Sequence, residues 1–154
     1  MVDEQNPRQI GSHLRYRFAF KRMDEAMEEG WLMEAVTIQE SILSGRILSA
    51  LHKKGIDVDP KDSFNSLIDR FRRYFEQEDE AVIGLCDHLH EWRKMRNHVL
   101  HSVCRHIDDP YDPSAVDKYE ELLVAAAREG RVLVDEVRNA VARLNRKSEK
   151  NIRM

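Results

Sequence analysis

Residues 79–105 read DEAVIGLCDHLHEWRKMRNHVLHSVCR. Val82, Leu85, Leu89, Trp92, Arg96, Val99 and Val103 recur in it at alternating spacings of three and four. That is the period of an amphipathic helix with one face turned to a core. The stretch before it, residues 63–77, is a shorter helix. Asp62 or Ser63 caps it, and Phe64, Leu67, Ile68, Phe71 and Phe75 form its apolar face.

The same period extends in both directions. Residues 31–54 carry Leu32, Val36, Leu43, Ile47 and Leu51, and Gly55 stands where a helix C-terminus favours glycine. IDVDPKD, residues 56–62, is a polar connection. Residues 12–29 start at a cap on Gly11 or Ser12 and present Tyr16, Phe20, Met23 and Met27, until Gly30 interrupts. Downstream, IDDPYDP at 107–113 is a loop by its turn chemistry. A fifth helix over residues 114–146 turns Val116, Tyr119, Leu123, Ala126, Leu133, Val137, Ala140 and Leu144 inward. Gly130 occupies a place on that stripe where a side chain is expected, which implies a kink or the close approach of another helix. Short connections between long helices predict an all-α, antiparallel bundle of four to five helices. The orientation of the second helix relative to the third stays open. Residues 1–11 are expected to be a flexible N-terminus, 12–146 the domain, and 147–154 a basic, frayed tail.

Composition agrees. Six Gly and four Pro in 154 residues are too few for an all-β chain, which needs frequent turns. Charged residues make up 34 %, an unusually charged surface. No apolar run is long enough for a transmembrane helix, and no apolar signal segment opens the sequence. Cys86 and Cys104 lie about 27 Å apart on one helix, too far to bridge, so a cytoplasmic location is expected. The net charge of −3 means that a nucleic-acid partner would have to meet a local basic patch.

Arg96 breaks the pattern, because a charge on a core-facing stripe is costly unless it is paired or at an interface. Asn97 follows it directly, and His101 lies one turn beyond Asn97 on the same edge. Arg96 is about 140° around the helix from His101. A cation and a titratable imidazole thus share an arc, an arrangement suited to a site completed by a second copy of the helix. The plainer alternative is an arginine paired with a carboxylate inside the bundle, for which Glu40 on the second helix is the candidate. Arg96 would then do no more than fix the register of a helical adaptor.

The string Leu89-x-x-Trp92-x-x-x-Arg96-Asn97-x-x-x-His101 resembles the R-x4-6-H motif of HEPN domains (higher eukaryotes and prokaryotes nucleotide-binding). The long helix AVTIQESILSGRILSALHKKG and the short helix SFNSLIDRFRRYF precede it in a similar layout. The resemblance covers roughly residues 14–146 and is loose outside the motif. It implies a helical bundle that dimerises, with two motifs facing each other across a composite cleft. It also implies a metal-independent endoribonuclease of the toxin or phage-defence kind, with an antitoxin or other partner encoded nearby. Other members bind RNA, nucleotide or protein without cutting. One toxin branch carries a tyrosine two residues after the histidine. Here that position is Val103, so pairing with the nucleotidyltransferase antitoxins of that branch lacks its residue.

The chemistry fits the residue types. His101 can move the proton of a ribose 2′-OH, Arg96 can hold the phosphate and offset its growing charge, and Asn97 can orient either. Arg93, Lys94 and Arg105 flank the motif as candidate RNA contacts, and further basic clusters stand at Arg70, Arg72 and Arg73 and from Arg146 to Arg153. No cofactor is expected. Cys86, His88, His90, His98, His101, Cys104 and His106 invite a metal reading. They wind around the whole helix, however, so no metal site is expected. There is no P-loop, dinucleotide fingerprint, G-x-S-x-G or H-E-x-x-H.

Overall fold

The computed structural model describes residues 7–102 and 114–154. Five helices follow one another: α1 (Pro7–Glu29), α2 (Leu32–Lys53), α3 (Phe64–Phe75), α4 (Ala81–Ser102) and α5 (Ser114–Arg153). Among the described residues there is no strand. The molecule is a helical bundle.

Local chemistry sets the boundaries. Ser63 caps α3 by accepting from the Ser66 amide at 3.1 Å. Asp79 does the same service before α4, its Oδ1 accepting from Ala81 N at 3.1 Å. Gly30 and Gly55 take φ of +76° and +83°, and each closes a helix in the left-handed conformation that glycine adopts without strain. Behind Gly55, Ile56 N reaches back to Leu51 O at 3.0 Å and Gly55 N to His52 O at 2.9 Å, satisfying carbonyls that the helix leaves open.

Two ends differ from the sequence reading. Residues 7–11, expected to be flexible, belong to α1, whose first residue is Pro7; a proline suits that place because the first helical amide needs no partner. Residues 147–153, read as a tail beyond the domain, continue α5. Lys147 Nζ donates to Glu78 O at 2.7 Å, and Arg143 Nε to Asp79 Oδ2 at 3.2 Å, which tie this end to the start of α4. The loop at 107–113 lies outside the described residues.

α2 stands at the centre. α1 runs antiparallel to it, with Arg22 against Glu34 and Met27 against Gln39. α5 runs parallel to it, since Gln39 meets Ala127 while Ala50 lies beside Leu144. α4 is antiparallel to α5, with Trp92 on Ala126 and Asp79 on Arg143. The open orientation is resolved as parallel: Lys54, just past α2, bonds to Tyr74 O near the end of α3. Residues 55–63 return along the bundle with Val58 buried in the core. Nine extended residues reach about 30 Å, ample beside a twelve-residue helix of about 18 Å.

The core runs through all five helices and includes Met23, Val36, Leu43, Ile47, Ile68, Phe71, Leu89, Trp92, Leu133 and Val137. Every residue of the expected α3 face is buried. Val116 is not: it is 60 % exposed, because the first turns of α5 extend past the packed region.

The sharpest packing is around Gly130. A Cβ there would stand 2.0 Å from Gln39 Oε1 and 2.8 Å from Trp92 Cζ2. The missing side chain lets α2 and α4 each send a polar group onto the α5 backbone. Gln39 Nε2 donates to Ala127 O and Trp92 Nε1 to Ala126 O, both at 2.8 Å. Trp92 is fully buried and meets Phe64 edge-on at 6.2 Å. Its burial alone contributes about 4–6 kcal/mol by area.

Candidate functional site

One turn beyond Trp92, α4 carries Arg96 past the edge of the core. Its guanidinium forms an ion pair with Glu40 of α2 and donates through Nη1 to Asn97 Oδ1. The side chains of Arg96 and Glu40 are 18 % and 21 % exposed. Glu40 directly follows Gln39, so the residue that fixes α2 to α5 also sets the height at which Glu40 meets α4. Arg96 Nε is buried with no partner. Burial pushes the guanidinium below its ordinary value, though an arginine stays charged at neutral pH.

His101 occupies the last turn of α4 and is exposed. Asn97 is half-buried and bridges the arc between the two. Arg96, Asn97 and His101 therefore share the C-terminal end of one helix, and they lie apart from the cavities that open between α1 and α2 and between α4 and α5 among the described residues. Within one chain, Arg96 is paired with the Glu40 carboxylate, while His101 is exposed. That is the pattern of a structural arginine unless a second chain completes the site.

The flanking cations divide. Arg93 is half-buried with an unpartnered Nε, and Lys94 is exposed. Arg105 lies outside the described residues, as do Val103, Cys104 and His106. Arg70 pairs with Asp62 at 3.4 Å, and Arg72 with Asp87 at 3.1 Å and Glu76 at 3.5 Å, so two of that cluster's three arginines already have counter-charges.

Two other histidines of α4 face carboxylates. His88 meets Glu129 and Glu136 of α5, and His90 Nε2 lies 2.8 Å from Asp69 Oδ1 of α3. Among the described residues no three His, Cys, Asp or Glu side chains converge on a point where a metal could sit. Cys86 is buried against Ile68 O, and burial pushes its thiol up to about 12.

Sequence reasoning overlooked Gln39, although a signal existed. Gln39 continues the stripe Val36, Leu43, Ile47 at helical spacing and is fully buried. It also overlooked the stacking of Arg46 on Tyr16, two residues far apart in sequence. Among the described residues, no helix is long and apolar enough to cross a membrane. No protein-family model, curated protein or solved structure matches this chain.

Proposed function

We propose that the chain is a metal-independent endoribonuclease of the HEPN kind, acting in the cytoplasm as a toxin or phage-defence effector, whose site is completed by a second copy of α4. The observation that carries it is the joint placement of Arg96 and His101 at the outer end of α4, the arginine held in orientation by Glu40 and Asn97 and the imidazole exposed. In the dimer, one His101 takes the 2′-OH proton and the other protonates the leaving 5′-oxygen. Arg96 offsets the charge that grows on the phosphate. The 2′-oxygen attacks phosphorus, the bond to the 5′-oxygen breaks, and the products are a 2′,3′-cyclic phosphate and a 5′-OH. Arg93 and Lys94 extend the phosphate track, and an antitoxin encoded nearby would cover the same end.

The test is cleavage of total RNA by the purified protein, with end-group analysis. His101→Ala should lose about 10²–10⁴-fold in rate and Arg96→Ala about 10²–10³-fold. Undiminished cleavage by His101→Ala refutes the mechanism. The closing-off of Arg96 by Glu40 favours a second reading, a HEPN-like module that binds RNA, nucleotide or a protein partner without cutting. Wild-type protein that binds RNA and leaves it intact selects that reading.

A further inference from the structure

A second cluster of cations lies on a different face of α2 from Glu40. Between α1 and α2 opens a cavity of about 290 Å³ lined by Arg15, Tyr16, Ala19, Ser41, Ile42 and Gly45. That volume is at the small end of the range for small-molecule sites. Gly45 shapes it, because Tyr16 Oη lies 2.8 Å from where a Cβ would stand, so the phenol can lie across α2. Arg46 stands beside these lining residues rather than among them, its guanidinium packed over the Tyr16 ring at 4.0 Å.

Arg46 lacks a counter-charge among the described residues. Several other partly buried arginines of the bundle have carboxylates: Arg22 has Glu34, Arg131 has Asp24, Arg143 has Asp79 and Arg96 has Glu40. Arg93 of α4 is a second half-buried arginine with an unpartnered Nε, but it lies away from this cavity's lining. Among the described residues Arg46 has no ion pair, and its Nε is buried without a hydrogen-bond partner. Burial pushes it below its ordinary value, the Tyr16 phenol acts against this, and the neighbouring Arg138 pushes it down further. No carboxylate is among the groups acting on it. A half-buried cation without a counter-charge is costly, and the cost is recovered when an anion docks.

We propose that this groove binds the phosphoryl group of a small molecule, held by Arg46 and Arg15 and by the Ser41 hydroxyl, with Tyr16 as its aromatic wall. A planar guanidinium braced on an aromatic face is pre-oriented for two parallel bonds to phosphate oxygens. Ala19 and Ile42 form an apolar floor suited to the organic part of such a ligand. The inference is independent of Arg96 and His101.

Amide NMR titration of the full chain tests it, with inorganic phosphate and adenosine monophosphate as probes at constant ionic strength. Saturable shifts are expected at Ala19, Ser41 and Gly45. Tighter binding of the nucleotide indicates a nucleoside phosphate, and equal binding indicates the free anion. Arg46→Met should weaken binding about tenfold or more, since a charge-assisted bidentate contact is lost. Should Arg46→Met fail to fold, the exposed Arg15→Met decides, with the same direction of change. Shifts that do not saturate, that chloride reproduces, or that survive Arg46→Met and Arg15→Met overturn the proposal. So does binding of an RNA oligonucleotide with none of phosphate or adenosine monophosphate.

Discussion

Replacing Gly130 by alanine tests the packing that positions the motif. On an exposed helix the change would stabilise, by about 1 kcal/mol of helix propensity. Here the new Cβ would stand 2.0 Å from Gln39 Oε1, 2.7 Å from Gln39 Cδ and 2.8 Å from Trp92 Cζ2. Neither neighbour yields freely. Gln39 is held by its bond to Ala127 O, and Trp92 by its bond to Ala126 O and its edge contact with Phe64. Moving Gln39 leaves a buried amide unsatisfied, at about 1–3 kcal/mol, and the crowding adds about 1–3 kcal/mol. After the propensity gain, Gly130→Ala should destabilise by about 1–5 kcal/mol. The assay is urea unfolding followed by circular dichroism, or Tm, which falls about 2–4 °C per kcal/mol in a chain of this size. Gln39→Ala makes room, so the double variant Gln39→Ala/Gly130→Ala should lose less than the sum of the single losses. A Gly130→Ala protein as stable as wild type, or strictly additive losses, refutes the reasoning.

Removing one partner of the Arg96–Glu40 pair should be worse than removing both. Glu40→Ala should cost about 3 kcal/mol in the urea midpoint, whereas Glu40→Leu/Arg96→Met should recover most of it. Cys86 should resist a thiol reagent at pH 8 in native Cys104→Ser protein and react once urea unfolds the chain, because its thiol is held at about 12. The unfolded thiol ionises first, so the stability that this burial contributes is full below about pH 8.5 and is lost as pH rises towards the folded value. Burial alone would raise Asp79, but its bonds to Arg143 and Ala81 N, with the charges of Arg143 and Lys147, hold it below the ordinary value. Its contribution is therefore present above the unfolded carboxylate range and lost as pH falls through the lower folded value. Asp79→Asn should cost about 1 kcal/mol at pH 7 and progressively less in acid unfolding curves.

The helical architecture was legible wherever one face had one job. α3 is the clearest case: Phe64, Leu67, Ile68, Phe71 and Phe75 all lie in the core because nothing but packing chose them. Gly130 was legible as an anomaly, though only the structure shows that Gln39 and Trp92 fill the space. Periodicity failed at Val116, where the stripe continues after its partner helices have ended. At the candidate site, Arg96 could be singled out by its place on an apolar line, with Glu40 as the carboxylate to meet it. The Arg46–Tyr16 stack and the Asp79–Arg143 tie join residues whose proximity depends on the assembled bundle, and no local pattern announces such pairs.

α5 is 40 residues of unbroken helix, about 60 Å, beside an α2 of 22 residues and about 33 Å. Its buried residues all fall between Leu123 and Leu144. Geometrically it is one rod, but energetically it is three segments. Amide protons in the middle segment exchange only when the whole domain opens. Those of the first turns and of the last few residues exchange through local fraying, since an isolated stretch of helix that short is marginal in water. A protease should therefore nick α5 at its two ends and spare its centre.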